Sequence, residues 1–194
     1  MRLMEMSKQG PVCKFGDAHI LYTLMILNDE GHISRGDLAA VLGIGEGSVR
    51  KIIAILRDWG LIEVRQNGVY LSHDGRNFLD GMPLDLVDIP YTEGNPEQYL
   101  QGVLVRGMAD KITNGMDQRD SAVIAGASGA SVYYLEDNYL MVSTLWEKSR
   151  CDAELSNRIL GITDIKEDDV LLVTVASKPE LATVSAIAAG LDMI

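Results

Sequence analysis

A chain of 194 residues, 47% of them hydrophobic, has the material for one large or two small cores. Its 28 acidic residues outnumber 17 basic ones for a formal charge of −11, which argues against nonspecific coating of nucleic acid, an activity that needs a basic surface. The excess is uneven: residues 1–81 carry nine Lys or Arg against ten Asp or Glu, and residues 82–194 carry eight against eighteen. No run of about eighteen apolar residues predicts a membrane span. Met1 to Met6 lack the apolar stretch of a signal peptide. Two cysteines, Cys13 and Cys151, without a CxxC pair fit a reducing cytoplasm.

Residues 1–16 read as a loosely held arm. Ile20, Leu21, Leu24 and Met25 recur at the spacing of a helix with one apolar face. Ser34 followed by Asp37 is a capping-box-like start to a second helix, buried through Leu38, Ala39 and Leu42. Gly43-Ile44-Gly45 supplies a tight turn. Val49, Ile52, Ile53 and Leu56 mark a third helix, with Gly60 just past its end. Leu61–Val64 and Val69–Leu71 are β-prone runs joined through Gln66-Asn67-Gly68, where Asn-Gly predicts a type I′ hairpin turn. A short helix ends near Leu79.

Helix, helix, turn, helix, hairpin and closing helix over residues 17–81 is the layout of a winged helix-turn-helix domain. That layout places the third helix in the major groove and the hairpin on flanking backbone. With the apolar stripe at the back, Gly47, Lys51 and Ala54 face out centrally, flanked by Ser48, Arg50, Ile55 and Arg57. Small residues let the helix approach closely, Lys and Arg reach guanine edges or phosphates, and Ser48 donates to a phosphate. Arg65 and Asn67 on the wing would meet backbone or minor groove. The alternative is a winged helix that docks on another protein, with Arg50, Lys51 and Arg57 a merely solvated face. The Gly-then-Arg segment after the second wing strand, Gly75-Arg76, is similar to winged-helix regulators of the MarR and Lrp-like type.

Gly81-Met82-Pro83 ends this region, and residues 82–194 form a second domain, interrupted early by the turn-rich stretch Pro90 to Pro96. Leu84 to Ile89 and Val103 to Val105 predict strands, and a helix follows within 109–126. Ser131–Leu135 and Tyr139–Val142 predict a hairpin turning at Asp137-Asn138. A helix near 152–160, a strand over Val170 to Val175 and an Ala-rich helix from Pro179 to Leu191 complete the order. The string ββαββαβα predicts an α+β domain with helices on one face of a mainly antiparallel sheet. A ferredoxin-like split βαβ is contained in the same string.

The chain resembles uncharacterised archaeal proteins that join a winged helix to a small C-terminal domain of unknown function. The resemblance rests on Phe15-Gly16-Asp17-Ala18, Gly45-Glu46-Gly47-Ser48-Val49-Arg50, Asn114-Gly115, Gln118-Arg119-Asp120, and Ala125-Gly126-Ala127 with Gly129-Ala130. It implies a transcriptional regulator without an established ligand.

Were residues 109–127 one helix, Arg119 and Asp120 would share its apolar stripe with Ala109, Ile112, Met116, Val123 and Ala127. Two charges on a buried face must pair or bind something. The structural reading is a buried ion pair. The functional reading is an effector pocket in which Arg119 holds a small anionic group and Asp120 or Gln118 orients it. His19, His32 and His73 lack a metal-ligand spacing, and no phosphate loop, zinc motif or nucleophile–base pair occurs, so no metal, cofactor or catalytic site is expected. The sequence thus points to a cytoplasmic regulator reading double-stranded DNA as a homodimer, its C-terminal domain sensing a small molecule or holding the dimer through the last helix or a sheet edge. A metabolite enzyme carrying a DNA-binding domain is the third reading.

Overall fold

The computed structural model describes residues 15–90, 97–143 and 148–194. Most of the arm expected over residues 1–16, with Cys13, and most of the Pro90–Pro96 stretch lie outside the described residues. The chain divides into two compact units between Met82 and Pro83.

The first unit runs α1 (Asp17–Glu30), β1 (His32–Ile33), α2 (Arg35–Leu42), α3 (Glu46–Asp58), β2 (Ile62–Arg65), β3 (Gly68–Leu71) and α4 (His73–Asp80). Ile20, Leu24 and Leu27 of α1 share one core with Leu38 and Leu42 of α2, Val49, Ile52 and Leu56 of α3, and Ile62 and Val69 of the hairpin. Ser34 caps α2 by accepting the Asp37 amide at 3.2 Å and donates its own hydroxyl to the Asp37 carboxylate at 2.6 Å. The carboxylate therefore braces the cap and does not itself take an amide.

Two local features differ from expectation. The two-residue β1 adds an edge to the hairpin, giving the order β1-β3-β2, with His32 opposite Tyr70 and Ile33 opposite Val69. Such a short strand has no period to read. The type I′ turn expected at Asn67-Gly68 does not form: Arg65 pairs with Gly68, so Gln66 and Asn67 make the loop, and Asn67 keeps a negative φ. That turn geometry occurs instead at Asp137 and Asn138, with φ of 52° and 63°. At Gly75 the need is for close approach, because a β-carbon there would collide with the Leu61 carbonyl oxygen.

The second unit contains β4 (Leu84–Val87), β5 (Tyr99–Val105), a 3₁₀ turn (Ala109–Lys111), α5 (Met116–Ile124), β6 (Gly129–Glu136), β7 (Tyr139–Ser143), β8 (Lys148–Arg150), α6 (Ala153–Ile162), β9 (Val170–Ala176) and α7 (Pro179–Leu191). One sheet of order β4-β5-β9-β6-β7-β8 is antiparallel at every pairing. The split βαβ is present: β5 and β6 run parallel to each other on either side of β9, which is antiparallel to both, and α5 connects them. The class is α+β, as expected.

Helices cover both faces of this sheet, not one. On the first face α7 lies on β5 and β9, so close that a β-carbon at Gly190 would press on Leu84, Val103 and Val105, and α5 packs against β6 and α7. On the second face Leu155 and Ile159 of α6 join Leu104, Leu171 and Val173. Side chains alternate across a strand, so the apolar run of β9, interrupted only by the buried Thr174, supplies both faces at once. An apolar second face needed its own cover, and α6 provides part of it.

Candidate nucleic-acid interface and a cavity in the second unit

α3 has two sharply divided faces. Val49, Ile52, Ile53 and Leu56 are buried, while Gly47, Arg50, Lys51 and Arg57 are exposed and Ser48, Ala54 and Ile55 are half-buried. The expected outward set thus shares one side of one helix. Its arginines are not bare, however. Arg50 lies 3.6 Å from Glu46 and Arg57 lies 3.3 Å from Asp58, all with strongly exposed side chains. Lys51 makes no ion pair among the described residues. Exposed pairs of this kind are weak and exchange readily for a phosphate.

On the hairpin, Asn67 is exposed at the tip. Arg65 forms an ion pair with Glu63 at 2.8 Å and lies over the Tyr70 ring at 4.6 Å. The other neighbour of Tyr70 is His32, stacked at a centroid distance of 5.2 Å. This His32–Tyr70–Arg65 stack was not legible in the sequence, because it depends on β1 pairing with β3.

The second-unit candidates are arranged otherwise than expected. Gly115, at φ 72°, starts α5 in a left-handed conformation, so residues 109–127 are not one helix. The side chains of Arg119 and Asp120 are 40% and 60% exposed and sit 3.9 Å apart, and Gln118 is half-buried. Their stripe faces outward with Met116, Val123 and Ile124, while α5 packs inward through Ala122. The buried charge pair therefore does not exist. With the helix starting after Gly115, Met116, Arg119, Asp120 and Val123 lie toward the surface, whereas Ile112 and Ala127 of the expected stripe fall outside α5 and are buried. The Gly126-Ala127-Ser128-Gly129 stretch closes α5 and opens β6.

A charge cluster anchored on one buried carboxylate, Asp169, lies elsewhere. The Arg106 guanidinium meets Asp164 at 2.7 Å, Asp85 at 3.0 Å and Asp169 at 3.0 Å. The Asp164 contact is the leading cause that holds Arg106 still more firmly protonated than usual, and the same contact pulls the Asp164 carboxyl below its ordinary range. Asp169 is buried and also accepts the amides of Gly107 at 3.1 Å and Lys166 at 3.0 Å. These acceptor positions are occupied from within the unit, so the cluster ties β5 to the turn before β9.

Beneath α6 lies a half-open cavity of about 450 Å³. Leu100, Val173 and Val175 form its floor on the sheet, with Leu155 and Ile159 above. Ser131, Tyr133, Asn157 and Arg158 add polar groups. Burial, as the leading cause, pushes the Tyr133 phenol up, opposed by a hydrogen bond with Ser131. The sequence signal was faint: Ser131 and Tyr133 alternate onto one face of β6, but only packing shows which helix covers them. Among the described residues no group of His, Cys, Asp or Glu is placed to hold a metal, and no helix is long and apolar enough to cross a membrane.

The family described as "Domain of unknown function (DUF4443)" matches residues 97–193, half of the chain. The chain belongs to this family. The matched stretch lies within the second unit and holds the Arg106 cluster's arginine, α5, α6 and most of the cavity lining. Among solved structures, the "Hypothetical protein PH0730 from Pyrococcus horikoshii OT3" is similar over 93% of each chain, at 21% identity and a TM-score of 0.73. At that identity the likeness concerns the fold. No curated protein matches the chain.

Proposed function

We propose that the chain is a sequence-specific DNA-binding transcription regulator. In this reading the first unit is a winged helix-turn-helix domain that acts in a homodimer. Residues 82–194 sense a small molecule or hold that dimer. The observation that carries the reading is α3 itself: four apolar residues are buried behind a face that offers Gly47, Arg50, Lys51 and Arg57 together. The hairpin that would form the wing brings Arg65 and Asn67 to the surface. Since α7 is buried in its own unit, a two-fold contact would use a sheet edge or the outward stripe of α5 in place of α7.

The test is selection of the full chain on random double-stranded DNA, followed by titration of the selected site at fixed salt. Arg50→Ala and Lys51→Ala should each weaken specific binding by about 1–3 kcal/mol. No enrichment by the wild type, or unchanged affinity in both variants, defeats the reading. The acidic partners beside Arg50, Arg57 and Arg65 favour a second reading, docking of the same face on another protein, because they nearly neutralise it. A selection that enriches no DNA leaves that one standing.

A further inference from the structure

We propose that the cavity beneath α6 binds a small amphipathic anion, an apolar body bearing one carboxylate, with the carboxylate held at the mouth by Arg158.

The size comes first. A half-open cleft of about 450 Å³ falls in the range of small-molecule sites. At interior packing density it holds roughly 15 non-hydrogen atoms. The sheet explains why the space exists. Its first face is filled by α5 and α7, whereas α6 is the only α-helix among the described residues on the second.

The chemistry of the walls selects the ligand. Leu100, Leu155, Ile159, Val173 and Val175 can contact only an apolar body. The Ser131–Tyr133 hydroxyl pair adds hydrogen-bonding capacity without charge, since burial keeps the phenol protonated. Arg158 gives the sign. Its guanidinium makes no ion pair among the described residues, although Glu154 stands one helical turn earlier and residues 82–194 carry eighteen acidic side chains against eight basic. A carboxylate is the natural complement of such a group, through two parallel charge-assisted hydrogen bonds. Arg158 is exposed, so the anionic end stays near water while the apolar body enters.

The inference deepens the sensing part of the reading above and rests on it for its role, but binding itself is measured without DNA. Loss of one result then leaves the other intact. Titration calorimetry of the full chain uses octanoate, hexanoate, octanol and octylamine as probes. Saturable octanoate binding is expected at least tenfold tighter than octanol, with octylamine weaker still and hexanoate weaker by about fourfold per methylene removed. Arg158→Gln should reduce octanoate to the octanol level at an unchanged melting temperature. Val175→Phe should fill the cavity and abolish binding of both, and Leu155→Trp serves the same purpose should Val175→Phe fail to fold. No saturable binding, octanoate no tighter than octanol, an Arg158→Gln variant with wild-type preference, or a folded filled variant that still binds would each overturn the proposal.

Discussion

α3 and α7 are both thirteen residues long, yet they serve opposite ends. α3 buries one stripe and leaves its other side to solvent. α7 has nine buried residues, among them Ala182, Ala186, Ala189 and Gly190, whose small size lets the sheet and α5 close on it from two sides. The ion pairs differ in the same way. Those of the first unit are exposed and local, whereas Arg106 joins Asp85, Asp164 and the buried Asp169 across long stretches of chain. Changes on the first unit's surface should therefore alter binding, and changes inside the second should alter folding.

The sharpest way to break that contrast is Asp169→Ala. It strips partners from two amides and from Arg106 at a buried site, and should cost about 3 kcal/mol in urea denaturation. A loss below 1 kcal/mol would show the cluster to be ornamental. Next is Ala186→Leu, which forces a larger side chain into the fully buried side of α7 and should cost about 1–3 kcal/mol. Arg50→Ala and Lys51→Ala, by contrast, should stay within about 0.5 kcal/mol of wild type.

A pH effect of intermediate size is expected in the first unit. The Gly16 amide donates to Nδ1 of His19 at 3.2 Å, which requires that nitrogen to be unprotonated, and burial lowers the His19 pKa from 6.5. The unfolded chain then takes up the proton first as pH falls. Stability is full above about pH 6.5 and declines below it until the folded histidine also titrates. Melting curves between pH 7.5 and 5.5 should fall, and His19→Gln should flatten them. An equal slope in the variant would assign the effect elsewhere.

The smallest effect is at Arg119. A 40% exposed side chain paired only across 3.9 Å should tolerate Arg119→Met within about 0.5 kcal/mol. A loss of several kcal/mol would mean that the outward stripe of α5 is covered in solution, and sedimentation of wild type and variant would then reveal the partner copy.

How far the sequence reaches depends on the range of the interactions involved. Helix periods, the Ser34 cap, the Pro179 start of α7 and the Asp137-Asn138 turn are all fixed within a few residues, and each was readable. So was the outward set on α3, because a clean stripe of Val49, Ile52, Ile53 and Leu56 leaves only one back to the helix. The Arg119–Asp120 expectation failed at a single backbone angle. Gly115 interrupts the helix, and the two charges expected on a buried stripe lie at the surface.

Tertiary structure alone decided what depends on distant chain segments. The Arg106 cluster gathers residues 85, 106, 164 and 169, and the β1–β3 pairing stacks His32 on Tyr70. The cavity draws on β5, β6, β9 and α6. An apolar residue's local pattern states that it must leave water, but not which neighbour it will find or how well that neighbour fills the space. Hydrophobic burial is non-directional, so patterns name the buried face while packing of the whole chain decides whether that face ends as core or as a site.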